Sequence, residues 1–256
     1  MDLAVAFLRG LTALALFVVF GAGALLISPL MFLLRDPPHG QPVVRATWRF
    51  VVALFCWTRL IKVERGNLED WRGVVLVVNH PSLIDVVLLV SLVPRTLYVA
   101  KSALLRNPFL SSIVRATALP DDATLPDVAA PYLKAGWNVL IFPEGTRTPF
   151  ESGKVERWKG GKVRCGKVER WKGGKVGVLK RGAAQLAIRT GAPIACVRET
   201  LSRRILAKRQ KPWDMGTKRV VFSFESRGML SPVANGETSI HAFAKRLTDE
   251  IRARIS

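Results

Sequence analysis

Two short apolar runs, each stopped by a polar turn, constrain this chain more than any other feature. Val74 to Val78 is an unbroken row of valine and leucine, which suits a strand buried on both faces of a sheet. Asn79, His80 and Pro81 end it, and Ser82 then stands as N-cap of a helix expected over residues 83–93. Asn138 to Phe142 repeats the pattern, an apolar run closed by Pro143, Glu144, Gly145, Thr146 and Arg147. Alternating buried strands and helices give an α/β fold with a central sheet flanked by helices, and such sheets gather their chemistry at the carboxyl ends of the strands. If the two strands are parallel neighbours, both polar turns share one rim.

His80 and Asp85 are separated by four residues. In one continuous helix they would diverge by about 140°. They meet only if His80 precedes the helix and Asp85 lies in its first turn, and the break at Pro81 and Ser82 supplies that geometry. Asp85 can then fix the tautomer of His80, leaving the other ring nitrogen to take a proton from a hydroxyl. Plainer roles compete: Ser82 and Asp85 also read as a capping pair, and a backbone carbonyl could satisfy His80. In the second turn, Arg147 suits two-pronged binding of a phosphate and Thr146 adds a hydroxyl. Gly145 permits close backbone approach, and Glu144 can orient Arg147 or accept from a substrate hydroxyl. The plainer reading there is a turn with a surface ion pair. Lys101 follows a strand expected over Leu97 to Ala100; it is either a solvated charge or a partner for an anion near His80.

The amino-terminal part has a different character. Gly10 to Leu34 holds 25 residues without a charge, enough for a helix across a bilayer core of about 30 Å. Arg35, Arg45, Arg49, Arg59, Lys62 and Arg65 follow it and Arg9 alone precedes it, so the positive-inside rule leaves the remainder cytoplasmic. Asp36 to Pro42 reads as a breaker. Val43 to Ile61 reads as an amphipathic helix in the headgroup layer, with an amphipathic core helix as the alternative. Residues 1–60 are thus expected to be a membrane anchor made of a helix pair, and residues 61–256 a single α/β domain.

Further strands are expected at Ile61 to Glu64, Ile194 to Val197 and Val220 to Phe224. Helices are expected over residues 102–118 (broken near Pro108), 128–135 and 182–190, with a closing helix striped by Ile240, Phe243, Leu247, Ile251 and Ile255. The net charge of +20 asks for an anionic partner, and without an aromatic-basic RNA signature that partner is a lipid surface rather than nucleic acid. The three scattered cysteines read as reduced thiols. One useful histidine and distant carboxylates build no metal site. GKVERWKGGKV occurs at Gly153 to Val163 and again at Gly166 to Val176. This duplicated basic loop, within residues 151–176, is either a flap for headgroups or coenzyme phosphates or a neutral duplication in a tolerant surface loop.

Asn79 to Asp85 (NHPSLID) and Phe142 to Arg147 (FPEGTR) resemble the first and third sequence blocks of the glycerolipid acyltransferase family, which includes the 1-acyl-glycerol-3-phosphate acyltransferases of bacterial membranes. The spacing of the blocks, Lys101 between them and Leu179 to Val197 are similar as well. The resemblance implies His80 as general base on an acceptor hydroxyl, Asp85 orienting it, and Glu144 to Arg147 with Lys101 holding the acceptor phosphate. It implies a lysophospholipid acceptor, most simply 1-acyl-glycerol-3-phosphate giving phosphatidic acid. The co-substrate would be acyl-CoA or acyl carrier protein with no separate cofactor, at the bacterial inner membrane. Amides near Ser82 are expected to stabilise the oxyanion. Two blocks depart from the family pattern, at Arg115 to Asp121 and at Cys196, where a proline is usual. Hydrolysis of a lipid ester, transfer to another lysolipid, or a non-catalytic basic membrane-binding role are the alternatives.

Overall fold

The computed structural model describes residues 2–34, 36–101, 104, 111–145, 179–206, 210, 211, 213–233 and 239–256. In chain order its elements are α1 (Asp2–Leu33), α2 (Pro37–Trp57), β1 (Ile61–Glu64), β2 (Val75–Val78), α3 (Asp85–Leu92), β3 (Thr96–Ala100), α4 (Ser111–Thr117) and β4 (Ala118–Pro120). They continue with α5 (Leu125–Lys134), β5 (Asn138–Ile141), α6 (Gly182–Thr190), β6 (Ile194–Leu201), β7 (Val220–Leu230) and α7 (Ile240–Ile255).

The described strands form one sheet in the order β1-β7-β6-β2-β5-β3-β4. From β6 to β4 the strands are parallel; β7 lies antiparallel to β6 and parallel to β1. At the centre β2 pairs with β5, Val75 opposite Val139 and Val77 opposite Ile141, so the polar turns after both strands emerge on one edge. All residues of β2 and β5 are buried, as expected of strands covered on both faces. Asn138 begins β5 as a buried polar tie: its Oδ1 accepts from Val74 N–H at 3.3 Å, and its amide donates to the carbonyls of Trp71 and Pro94.

Two apolar cores lie on the two faces. Leu76, Val78, Leu140, Val197 and Phe222 face α2, α3 and α4; Val75, Val77, Val139, Ile141 and Cys196 face α5, α6 and α7. The alternation follows from the two-residue repeat of a strand.

Several boundaries differ from those expected. Asp36 to Pro42 does not break the chain; α2 starts at Pro37, with prolines at its first positions, where the missing amide proton has no intrahelical partner to lose. α3 starts at Asp85 rather than Leu83, and Ile84, not Ser82, occupies its N-cap position. Of the helix expected over residues 102–118, residues 111–117 form α4, residues 102, 103 and 105–110 lie outside the described residues, and Ala118 opens β4, which pairs with β3. β6 and β7 run on to Leu201 and Leu230, since their pairing continues beyond the apolar runs that mark them in sequence.

Of the expected anchoring pair, α1 is the described helix long and apolar enough to cross a membrane. Leu3, Phe7, Leu26 and Leu33 on it are exposed. α2 instead buries Val44, Trp48, Val51 and Phe55 in the core of the α/β domain. α1 is fastened to the domain near both ends. The Arg9 guanidinium donates to the carbonyls of Gly216, Arg59, Leu60 and Lys218 at 2.9–3.3 Å, and the Ser28 and Ser112 hydroxyls are 2.7 Å apart.

Candidate active site

The turn after β2 holds an imidazole and a carboxylate in contact. His80 Nδ1 lies 2.9 Å from Asp85 Oδ2, and the same oxygen accepts from Ser82 N–H at 2.8 Å. One oxygen thus braces the turn before α3 and orients the ring. Asp85 has no exposed side-chain surface, while His80 keeps 17% of its own. The imidazole stacks on Phe142, ring centres 4.3 Å apart at 28°, so a residue ending β5 sets the plane of a ring ending β2. With Nδ1 engaged by Asp85, Nε2 is the nitrogen left for an incoming hydroxyl.

The neighbouring turn reaches the same histidine. Glu144 is buried, and its Oε1 accepts from His80 N–H at 3.3 Å. That contact is a role the sequence did not indicate for this acid. Gly145 has φ +62°, which favours glycine, and the flexible end of the Lys180 side chain lies about 2.9 Å from where a Cβ would stand. Lys180 N–H donates to Pro143 O at 2.8 Å, which holds the chain just before α6 against this turn and lays a lysine across Gly145. Lys180 was visible only as part of the Leu179 to Val197 stretch. Thr146, Arg147 and the duplicated loop at 151–176 lie outside the described residues. Lys101 is exposed at the end of β3, and among the described residues no hydrogen bond or ion pair joins its side chain to His80 or Glu144.

The amides closest to Ser82 are already engaged. His80 N–H is taken by Glu144 and Ser82 N–H by Asp85. Leu83 N–H donates to Leu206 O at 3.2 Å, and Ile84 N–H to Ser82 Oγ at 3.5 Å. The amides of residues 80 and 82–84 thus serve to hold the turn, and the first-turn amides of α3, from Asp85 on, are the donors nearest the site.

A further acid lies behind the pair. Glu199, on β6, has no exposed surface and shares a strand face with Val197 and Leu201. Asn79 clamps its backbone from both sides: Asn79 Nδ2 donates to Glu199 O at 2.9 Å, and Glu199 N–H donates to Asn79 Oδ1 at 2.7 Å. The one signal for it in the sequence is an acid at an alternating buried position of IACVRETL. Burial and the adjacent Asp85 charge push the Glu199 carboxyl well above the ordinary glutamate range. Cys196 is no nucleophile, since burial pushes its thiol up to about 12. No three His, Cys, Asp or Glu converge as metal ligands among the described residues.

A family model described as Acyltransferase matches residues 60–198, the span that carries both polar turns and Glu144. No curated protein matches the chain. Among solved structures, the chain is similar to the crystal structure of the 1-acyl-sn-glycerophosphate (LPA) acyltransferase, PlsC, from Thermotoga maritima. That likeness has a TM-score of 0.61 and 22% identity over 100% of both chains, which speaks for a shared fold.

Proposed function

We propose that this chain, which belongs to the acyltransferase family, moves a fatty acyl group from a thioester to the free hydroxyl of a lysophospholipid, most simply 1-acyl-glycerol-3-phosphate. The observation that carries the reading is the 2.9 Å contact between His80 Nδ1 and Asp85 Oδ2 beside the Glu144 turn. In this mechanism Nε2 of His80 takes the hydroxyl proton as the acceptor oxygen attacks the thioester carbonyl. Asp85 holds the imidazolium that forms. Collapse of the tetrahedral intermediate breaks the carbon–sulfur bond, and the departing thiolate of coenzyme A or acyl carrier protein receives the proton from His80. No covalent acyl-enzyme is needed.

Thr146, Arg147 and Lys101, from the sequence, and Lys180, from its place across Gly145, would hold the acceptor phosphate. A small apolar cavity of about 30 Å³ lies between α1, α2 and α3, lined by Phe17, Phe20, Phe55, Ile84 and Val87. The domain would then work at the inner face of a bacterial cytoplasmic membrane, drawn to anionic lipid by its basic charge.

The test supplies isolated membranes with a labelled acyl thioester and a panel of lysolipids, using both CoA and carrier-protein donors. Labelled phosphatidic acid is the expected product. Free fatty acid with no diacyl product would instead assign hydrolysis.

A further inference from the structure

Asp85 uses one oxygen, Oδ2, for both His80 and Ser82. Its other oxygen is buried without a hydrogen-bond partner among the described residues, and so are both oxygens of Glu199. The two carboxyl groups are within hydrogen-bonding reach of each other. If both were ionised they would repel with no solvent between them to screen the charge. A single proton shared across the contact removes the repulsion and partners two of the three orphan oxygens together. The donors decide which acid holds it. Asp85 already accepts from an imidazole and an amide, which favours its ionised form, whereas Glu199 accepts from nothing.

We infer that Glu199 is a positioning residue for the transfer reaction: its protonated carboxyl donates to Oδ1 of Asp85, so that three donors fix the carboxylate and, through it, the His80 ring. The inference rests on the reading of His80 as general base. A donor on Oδ1 also draws charge from Asp85, so the imidazolium formed during transfer is held less tightly and can release its proton to the leaving thiolate.

Few other charges face the pair. Beyond Asp85, α3 carries no titratable side chain, and β7 presents Phe224 opposite Glu199. Glu144 touches the site through the His80 amide. Arg203, in the loop after β6, turns to Asp214 at 3.7 Å. Arg45 and Arg49 of α2 line a surface at the far end of α3 with Ser91 and Leu92.

Two measurements on the full-length chain in detergent micelles test this. Infrared spectroscopy at neutral pH should show the carbonyl stretch of a protonated carboxyl, lost in Glu199→Gln and retained in Glu144→Gln; its absence from the parent chain would overturn the inference whatever the reaction proves to be. In steady-state assays, Glu199→Leu should lower kcat at least about tenfold with acceptor KM nearly unchanged, and move the acidic limb of the kcat–pH profile to higher pH, because the more basic Asp85 holds the imidazolium longer. Glu199→Gln keeps a donor at Oδ1 and should recover turnover to within about threefold, with the limb unmoved. A limb moved to lower pH in Glu199→Gln would mean that the parent glutamate is ionised. Parent-like kcat and pH dependence in Glu199→Leu would remove the positioning role. Should Glu199→Leu fail to fold, the infrared band and the Glu199→Gln profile still decide the question.

Discussion

The turns that close β2 and β5 stand side by side on one rim, yet they are built differently. The first is bonded inward. Asn79 clamps β6, Asp85 holds both the ring of His80 and the amide of Ser82, and the ring lies flat on Phe142. The second gathers charge around a left-handed glycine, with Glu144 turned in to the His80 amide and Lys180 across Gly145. A base needs one orientation and is held by many short contacts, whereas an anion pocket needs cations and tolerates a looser backbone. The first turn should therefore govern kcat and the second KM.

The sharpest test is His80→Ala, which should lower kcat by about three orders of magnitude while the thermal midpoint stays within a few degrees. Retained turnover would end the comparison. Asp85→Asn keeps the shape but disturbs the tautomer of His80, and kcat should fall by roughly two orders of magnitude with a smaller change in acceptor KM. On the other turn, Lys180→Met should raise acceptor KM by about tenfold and leave kcat within about threefold. Were kcat to fall as far as in Asp85→Asn, the division of labour would be wrong.

The smallest effect is on stability and separates the turns by pH. The folded-state pKa of Glu199 is raised, so its contribution is complete below the unfolded value near 4.3 and is lost as pH rises toward the folded one. The slope is about 1.4 kcal/mol per pH unit while only the folded chain keeps the proton. The thermal midpoint of Glu199→Gln, compared with the parent, should be least favourable near pH 4 and gain steadily toward neutrality. A pH-independent difference would show that no proton is held there.

Much of this was legible in the sequence because strong local signals coincide with the fold. An apolar run cut by Asn-His-Pro can hardly be anything but a buried strand ending in a turn, and the matching run before Pro143 puts a second turn on the same edge given the parallel pairing of β2 and β5. What failed to show depends on partners distant in the chain. The stripe of Val44, Trp48, Val51 and Phe55 reads equally as lipid-facing or core-facing, and only the arrival of α3 and α4 decides for the core. Glu199 lies past the strand expected at Ile194 to Val197 and carries little local signal, because Asp85 comes more than a hundred residues earlier. The engagement of the His80 and Leu83 amides by Glu144 and Leu206 could not be read either, since both acceptors lie far along the chain.

The forked grip of Arg9 limits how the apolar helix can meet a bilayer. Its four carbonyls lie before β1 (Arg59 and Leu60) and before β7 (Gly216 and Lys218), and the Ser28–Ser112 pair holds the helix again, roughly 28 Å further along its axis at 1.5 Å per residue. Pinned at both points, α1 lies along the flank of the domain, like a keel rather than a mast. A helix that keeps both contacts in lipid would lie in the near leaflet, in place of the crossing expected from its length. The amino end and the histidine rim then share one side of the lipid, and a cysteine introduced by Asp2→Cys should react with an impermeant thiol reagent only from the side on which the domain stands.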